Sequence, residues 1–475
     1  MTNNFFKLSL SSLAIIALAS CSSDDSLLRP AGPDDQNDDT IIIEDSKPSI
    51  TTPSKGFYVI NEDWFGRDNG TVNYFKKDGS ILYRAYRAAN PDETLGVTSV
   101  FATIYGEYAF LVSKLDNRLV VADAETLKKK AVLTDIGGDG RSFVGITPKK
   151  GYISTSKGIS IFDIETLSIK STIPEIAQET GTMILAGDYV FAIVKSQGLY
   201  IINTKTDTVE KQIVGNNFAN VVQSKDGSIW VGAEEKLLQI DPFTLEQINE
   251  INISEAPITA TWYAWTAGSL SASTQENVLY WTKGFDVIKF DINSQTLNTS
   301  FYTLGKDAED AQLGFYGASL RIDPLTDHLV LLVKRDGWGD NGSYNWVQLV
   351  NKNGGLEKNI VVNADETTDD GYYWFPSMPF FEDTNKPEIL LNQIILTPNQ
   401  RIAVALNDKV VDADNTSASI IKSIQAIDSK IATYEIKQDS LIVTAKGALG
   451  KEKITIKATS NGKSVEKEIR IDIRS

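Results

Sequence analysis

Leu119-Val-Val-Ala-Asp123-Ala-Glu-Thr126-Leu127, Ile159-Ser-Ile-Phe-Asp163-Ile-Glu-Thr166-Leu167, Leu199-Tyr-Ile-Ile-Asn203-Thr-Lys-Thr206 and Leu237-Leu-Gln-Ile-Asp241-Pro-Phe-Thr244-Leu245 are four versions of one phrase. Each reads as an apolar strand, then a turn in which an Asp or Asn side chain caps the backbone of the Thr that follows, then a polar outer strand. The capping residues 123, 163, 203 and 241 recur 40, 40 and 38 residues apart. That period suits a four-stranded propeller blade.

Weaker copies lie on either side. They are Val72-Asn-Tyr-Phe-Lys-Lys-Asp78-Gly79, Val287-Ile-Lys-Phe-Asp291-Ile-Asn-Ser294 and Trp346-Val-Gln-Leu-Val-Asn351-Lys-Asn-Gly354, which bring the expected number of blades to seven. From Gly56 onward short runs of Val, Ile, Tyr, Phe and Thr alternate with Gly, Asn and Asp turns, so the fold class is all-β. The first copy lacks an innermost strand of its own. Residues 374–382 are expected to supply it, closing the ring and covering an open sheet edge. A seven-bladed propeller is thus expected over residues 55–384. Beyond it tryptophan vanishes, Lys, Ser, Ala and Ile dominate, and residues 441–445, 453–458 and 465–473 alternate with period two around a Ser460-Asn461-Gly462-Lys463 hairpin. A C-terminal immunoglobulin-like β-sandwich is expected over residues 385–475.

The front of the chain reads as an export signal. A short polar start with Lys7, an apolar run from Leu8 to Ala19 and Leu18-Ala19-Ser20-Cys21 make a lipoprotein signal peptide over residues 1–20, with lipidation at Cys21, the only cysteine. Residues 21–54, rich in Asp, Ser, Pro and Asn, are expected to be an acidic flexible linker. Ser22-Ser23-Asp24-Asp25 is similar to the acidic signal that sends some lipoproteins to the outer face of the outer membrane, so a lipid-anchored protein facing the cell exterior is expected. With 62 acidic against 46 basic residues the formal net charge is −16, which argues against nucleic acid as a partner.

Most catalytic chemistry is excluded by composition. The single histidine, His328, falls in a turn after Asp323-Pro324-Leu325-Thr326-Asp327, and without a second histidine or a free thiol a zinc site or a Ser-His-Asp triad has no parts. No pair of carboxylates is marked for glycoside hydrolysis. Gly137-Gly138-Asp139-Gly140-Arg141 runs into a strand rather than a helix and is a blade connection, not a phosphate loop. Residues 336–342 and 412–415 have carboxylates at spacings that could hold calcium, yet neither matches the twelve-residue loop with its terminal Glu, so neither a metal nor a cofactor is expected.

The aromatic residues carry the functional signal. The loop between strands two and three of a blade, and the loop from strand four to the next blade, open on the same face. The repeat register puts residues 61–69 and 336–345 in loops of the first kind, and residues 261–265, 313–317 and 370–375 in loops of the second. The candidate ligand-binding residues are therefore Trp64, Phe65, Arg67, Asp68, Asn69, Trp262, Tyr263, Trp265, Phe315, Tyr316, Trp338, Tyr344, Tyr372, Tyr373 and Trp374. Rings beside Asp, Asn and Arg suit a large, flat, partly polar ligand. Trp230 and Trp281 fall inside strands and are expected in the core.

The opening Gly56-Phe-Tyr-Val-Ile-Asn61-Glu62-Asp-Trp-Phe-Gly66-Arg-Asp-Asn-Gly70-Thr-Val-Asn-Tyr-Phe75 resembles the start of a family of surface lipoprotein propellers that includes the BtuG-type cobalamin-capture proteins. Asp63 stands where that family more often has glycine. The resemblance implies a non-enzymatic protein that binds a corrinoid (vitamin B12) or similarly bulky nutrient on one propeller face. It also implies a partner, an energy-coupled outer-membrane transporter that receives the ligand. Two other classes fit the residues themselves: a glycan-binding or adhesin propeller using the same aromatic face, and a propeller hydrolase or lyase.

Overall fold

The computed structural model describes residues 41–64, 68–363, 373–425 and 428–475. Among them are seven four-stranded antiparallel sheets. Their innermost strands touch in a closed cycle: Pro376–Phe381, Val97–Tyr105, Gly140–Thr147, Thr180–Ala186, Phe218–Gln223, Ser271–Ala272, Leu313–Ile322, and back to Pro376–Phe381. The arrangement is propeller-like. The strand that closes it, Pro376–Phe381, pairs with Gly56–Asn61, so the first sheet is assembled from two distant pieces of chain. Among the described residues no helix is long and apolar enough to cross a membrane.

The repeated phrase explains how each sheet is built. Inner strands such as Gly158–Asp163 are buried at every position because each sheet is packed between two neighbours. Outer strands such as Thr208–Val214 alternate between exposed and half-buried, and their Lys and Glu residues guard the open edge. Between them the capping side chain does what the sequence suggests. Asp123, Asp163 and Asp241 each accept the N–H of the Thr three residues on, at 3.0, 3.0 and 3.1 Å. The next residue, Leu127, Leu167 or Leu245, then takes a left-handed backbone with φ of 54, 51 and 61°.

The sheets meet through large rings. Phe110 stacks on Phe143 at 3.8 Å, and Phe162 meets both edge-on. Trp230 and Trp281 are buried as expected, and each indole N–H finds an acceptor, Ser224 Oγ and the Ala256 carbonyl.

The chain after the ring forms a five-stranded and a three-stranded sheet around one aliphatic core. Gly450–Ser460 and Lys463–Ile473 make the expected hairpin, with Asn461 and Gly462 at φ 43 and 83°. One expectation needs correction here. Ile42–Asp45, read as part of a flexible linker, is a strand that pairs with Leu391–Ile395 at the edge of the five-stranded sheet. Three isoleucines in an otherwise polar stretch supply it, and Ile41 packs on the core. The chain then runs back beside residues 382–390, tied by the N–H groups of Ser49, Thr52 and Lys55 to Glu388, Asn385 and Glu382.

The hairpin tip docks this domain onto the ring. Asn461 donates to the Ile104 carbonyl at 3.0 Å, and the Gly106 N–H donates to the Asn461 carbonyl at 2.8 Å. A Cβ on Gly462 would lie 2.8 Å from the Gly106 nitrogen, so only glycine fits. Acidic groups line the junction. Asp383 accepts from Asn461 and pairs with Lys463, while Asp414 accepts the N–H groups of Thr384 and Asn385. Burial, helped by Asp414, pushes Asp383 up to about 6. Burial and Asp414 likewise push Asp412 up. Gly106 joins the first two strands of its sheet, so the docking face is the one bearing the Asp-capped turns, opposite the aromatic loops.

Candidate functional site

The loops on the free face are pinned by strained backbone. Asp63 and Phe375 both have left-handed backbone, φ 57 and 42°, and the N–H groups of Glu62 and Asp63 donate to the Phe375 and Trp374 carbonyls. A left-handed position is cheapest for glycine, so Asp63 holds backbone strain there. The two loops are thereby locked together, and Trp64 lies 4.2 Å from Tyr373, ring centre to ring centre.

From there a row of five rings crosses the face. Tyr373 stacks on Phe375 at 5.9 Å, Phe375 meets Tyr316 at 5.4 Å, and Tyr316 meets Trp338 at 6.5 Å. Lys334 reaches over both Tyr316 and Trp338. Trp338 is 75% exposed. The Tyr316 hydroxyl donates to Glu62 at 3.2 Å, and the Tyr373 hydroxyl to Asp340 at 3.1 Å. Glu62 and Tyr316 are half-buried, and burial raises the pKa of both.

A second group faces it from the other side of the ring of strands. Tyr263 projects fully into solvent beside Trp262, which packs on two core clusters beneath the Lys195 ammonium. Between the two aromatic groups lie charged side chains from successive sheets. Arg141 donates twice to Glu179 Oε1, at 3.0 and 2.7 Å, and Lys195 donates to Oε2 at 2.8 Å. Lys114 stands beside Glu62, Arg141, Glu179 and Asp139, and burial lowers its pKa. Deeper, Arg321 donates to the Gly268 and Leu320 carbonyls and to the Met378 sulfur, and burial pushes it down to about 10.

The structure therefore brings together Trp64, Tyr316, Trp338 and Tyr373, with Trp262 and Tyr263 opposite. Other candidates serve different ends. Trp265 and Trp374 are buried, at 2 and 1% exposure, and cannot meet a ligand directly. Trp265 is a plug beneath Arg141, and Trp374 stacks on Tyr83 with its N–H on the Asn363 carbonyl. Phe315 packs into the core between sheets. Asp68 is braced by Arg87 and Arg84, which hold its carboxyl below the usual range against the cost of burial, and Asn69 is tied to Thr94. Tyr344 lies under Arg335, 3.6 Å from its guanidinium carbon, in an outer groove of about 610 Å³ with Trp346 and Asp307. Cys21, Phe65, Arg67 and Tyr372 lie outside the described residues.

Sequence reasoning left out Phe375, Lys114, Arg141, Glu179 and Lys195. Glycine-rich or strand-end positions were the only local hint. His328 is, as expected, a turn residue, bonded to Glu357 at 2.8 Å. Among the described residues no group of three or more His, Cys, Asp or Glu side chains is placed to hold a metal ion.

A family model covering residues 55–382 matches the ring of sheets and ends at the closing strand. The chain belongs to the DUF5074 family. The family is described as a domain of unknown function, and the match leaves the second domain outside it. No curated protein matches the chain. Among solved structures, a quinoprotein alcohol dehydrogenase-like protein from Bacteroides thetaiotaomicron is 14% identical with a TM-score of 0.53, over 69% of this chain and 78% of that one. This likeness shows a shared propeller-like fold and nothing finer. A Cps50 (Swd1) β-propeller domain from Myceliophthora thermophila matches at 10% identity and a TM-score of 0.43, over 59% of this chain and 94% of that one. The extracellular domain assigned to a hybrid two-component system of B. thetaiotaomicron matches at 10% identity and a TM-score of 0.40, over 79% of this chain and 56% of that one.

Proposed function

We propose that this DUF5074 protein is a non-enzymatic, lipid-anchored surface protein, a seven-bladed propeller carrying an immunoglobulin-like domain. It captures a corrinoid or a similarly bulky nutrient on the aromatic face and delivers it to an energy-coupled outer-membrane transporter. One observation carries this reading: the row Trp64, Tyr373, Phe375, Tyr316, Trp338, with Tyr263 and Trp262 across the mouth. Exposed rings on both sides of a polar, charged floor suit a ligand wide enough to touch several sheets at once. A sugar would stack on one ring and leave the far group idle.

The test is a titration of the chain with cyanocobalamin, followed by calorimetry and tryptophan fluorescence. Tight one-to-one binding that is lost when Trp338→Ala and Tyr263→Ala are combined supports capture on this face. Absence of heat and quenching at about micromolar corrinoid, where a capture protein must already be saturated, rejects that ligand. If Trp338→Ala alone then abolishes binding to a glycan panel, the adhesin reading takes its place.

A further inference from the structure

The protein is strongly acidic overall, yet the floor of its mouth gathers cations. Lys114, Arg141, Lys195 and Lys334 come from strands or strand ends of four different sheets. Three of them already have acceptors. Arg141 and Lys195 share Glu179, and Lys334 donates to the Arg335 and Gly337 carbonyls. Lys114 is different. It is half-buried, and its ammonium makes no hydrogen bond among the described residues. Nearby carboxylates are engaged elsewhere: Glu179 by Arg141 and Lys195, Glu62 by the Tyr316 hydroxyl, Asp139 by Arg118.

We infer that the mouth holds a seat for an oxyanion, a phosphate or carboxylate borne by the ligand, with Lys114 as its direct contact and Arg141 and Lys195 supplying the surrounding field. This rests on the reading of the mouth as a ligand site, and it adds the chemistry that the aromatic rings leave open. A half-buried ammonium with no acceptor pays for lost hydration, which an arriving oxyanion restores through charge-assisted hydrogen bonds. The neighbouring carboxylates keep the free mouth near neutrality, so the seat favours an anion attached to a ring-bearing ligand over a bare ion from solution. Cations over aromatic faces at Trp262 and Tyr316 join the two halves of such a ligand's footprint.

Two corrinoids separate the anion from the ring system: cyanocobalamin carries a phosphodiester in its nucleotide arm, and dicyanocobinamide lacks that arm. Lys114→Gln is expected to weaken cyanocobalamin about ten-fold while shifting dicyanocobinamide less than about two-fold. Lys114→Arg restores the loss, and Lys283→Gln, on the same face outside the cluster, changes neither. Equal losses for both corrinoids, with an unchanged melting curve, overturn the seat and leave capture standing. If neither corrinoid binds, the ligand reading fails. Inorganic pyrophosphate then decides the seat alone: calorimetry is expected to detect about millimolar binding that Lys114→Gln removes, and no binding, or binding indifferent to that change, overturns it.

Discussion

The two faces of the ring are built by opposite rules. On the face that holds the second domain, turns are short and alike, and each Asp or Asn side chain satisfies backbone within four residues of itself. On the free face, loops are unlike one another, from two or three residues at 156–157 and 195–197 to the long aromatic loops, and the row of rings is tied between distant stretches of chain, as with Tyr316 and Glu62. Local chemistry makes the first face uniform and rigid. Long-range contacts make the second face specific, and they hold only if the ring is closed. A ligand surface belongs where sequence is free to vary without unpicking the repeat.

The sharpest way to break the comparison is to loosen the closure, which sets the Glu62 and Tyr316 loops side by side. Phe380 is buried and stacks on Tyr58 at 4.9 Å across the closing pair. Phe380→Ala is expected to cost about 3–5 kcal/mol in chemical denaturation. Limited proteolysis should then cut first in the free-face loops and leave the Asp-capped turns intact. First cleavage at residues 123–127 or 163–167 would mean that the two faces do not differ in this way.

A smaller effect is expected at the domain junction. Asp383 and Asp412 both have raised proton affinity in the fold, so the folded state binds protons before the unfolded chain does. Stability contributed there is complete only below the unfolded carboxylate pKa of about 4, where both states are protonated, and is lost as pH rises through about 6, the raised pKa of Asp383. Asp412→Asn mimics the protonated carboxyl. It is expected to raise the melting temperature at pH 8 and to flatten the dependence between pH 5 and 8, with no effect on ligand affinity. A lower melting temperature at pH 8 would contradict this.

The smallest effects come from single turns. Lys170 and the Thr166 N–H hold Asp163 down to about 2, so its contribution is complete above the usual carboxylate pKa of about 4 and disappears as pH falls through 2. Asp163→Ala should lower the urea midpoint more at pH 7 than at pH 2. Trp338→Ala, by contrast, should change stability by less than about 0.5 kcal/mol at either pH, because the ring is exposed.

This contrast also explains what could be read from the sequence. The Asp-capped turns were legible because donor and acceptor lie three residues apart, and the closing strand because an unpaired edge demands a partner. The exposed rings Tyr263 and Trp338 were legible as loop residues. Trp265 and Trp374 sit beside such residues in sequence but turn inward, and their local composition does not distinguish the two cases. Lys114, Arg141, Glu179 and Lys195 escaped notice because each is an ordinary strand-end charge, and only the packing of successive sheets sets them side by side. Ile42–Asp45 was missed because its pairing partner lies some 350 residues on.

Hydrogen exchange of the full chain with and without cyanocobalamin tests most directly the claim that one face binds and the other docks. Protection is expected at residues 62–64, 262–265, 314–317 and 335–340, with none at 105–107, 123–127 or 163–167. Protection confined to the turn face, or to the second domain, would contradict it.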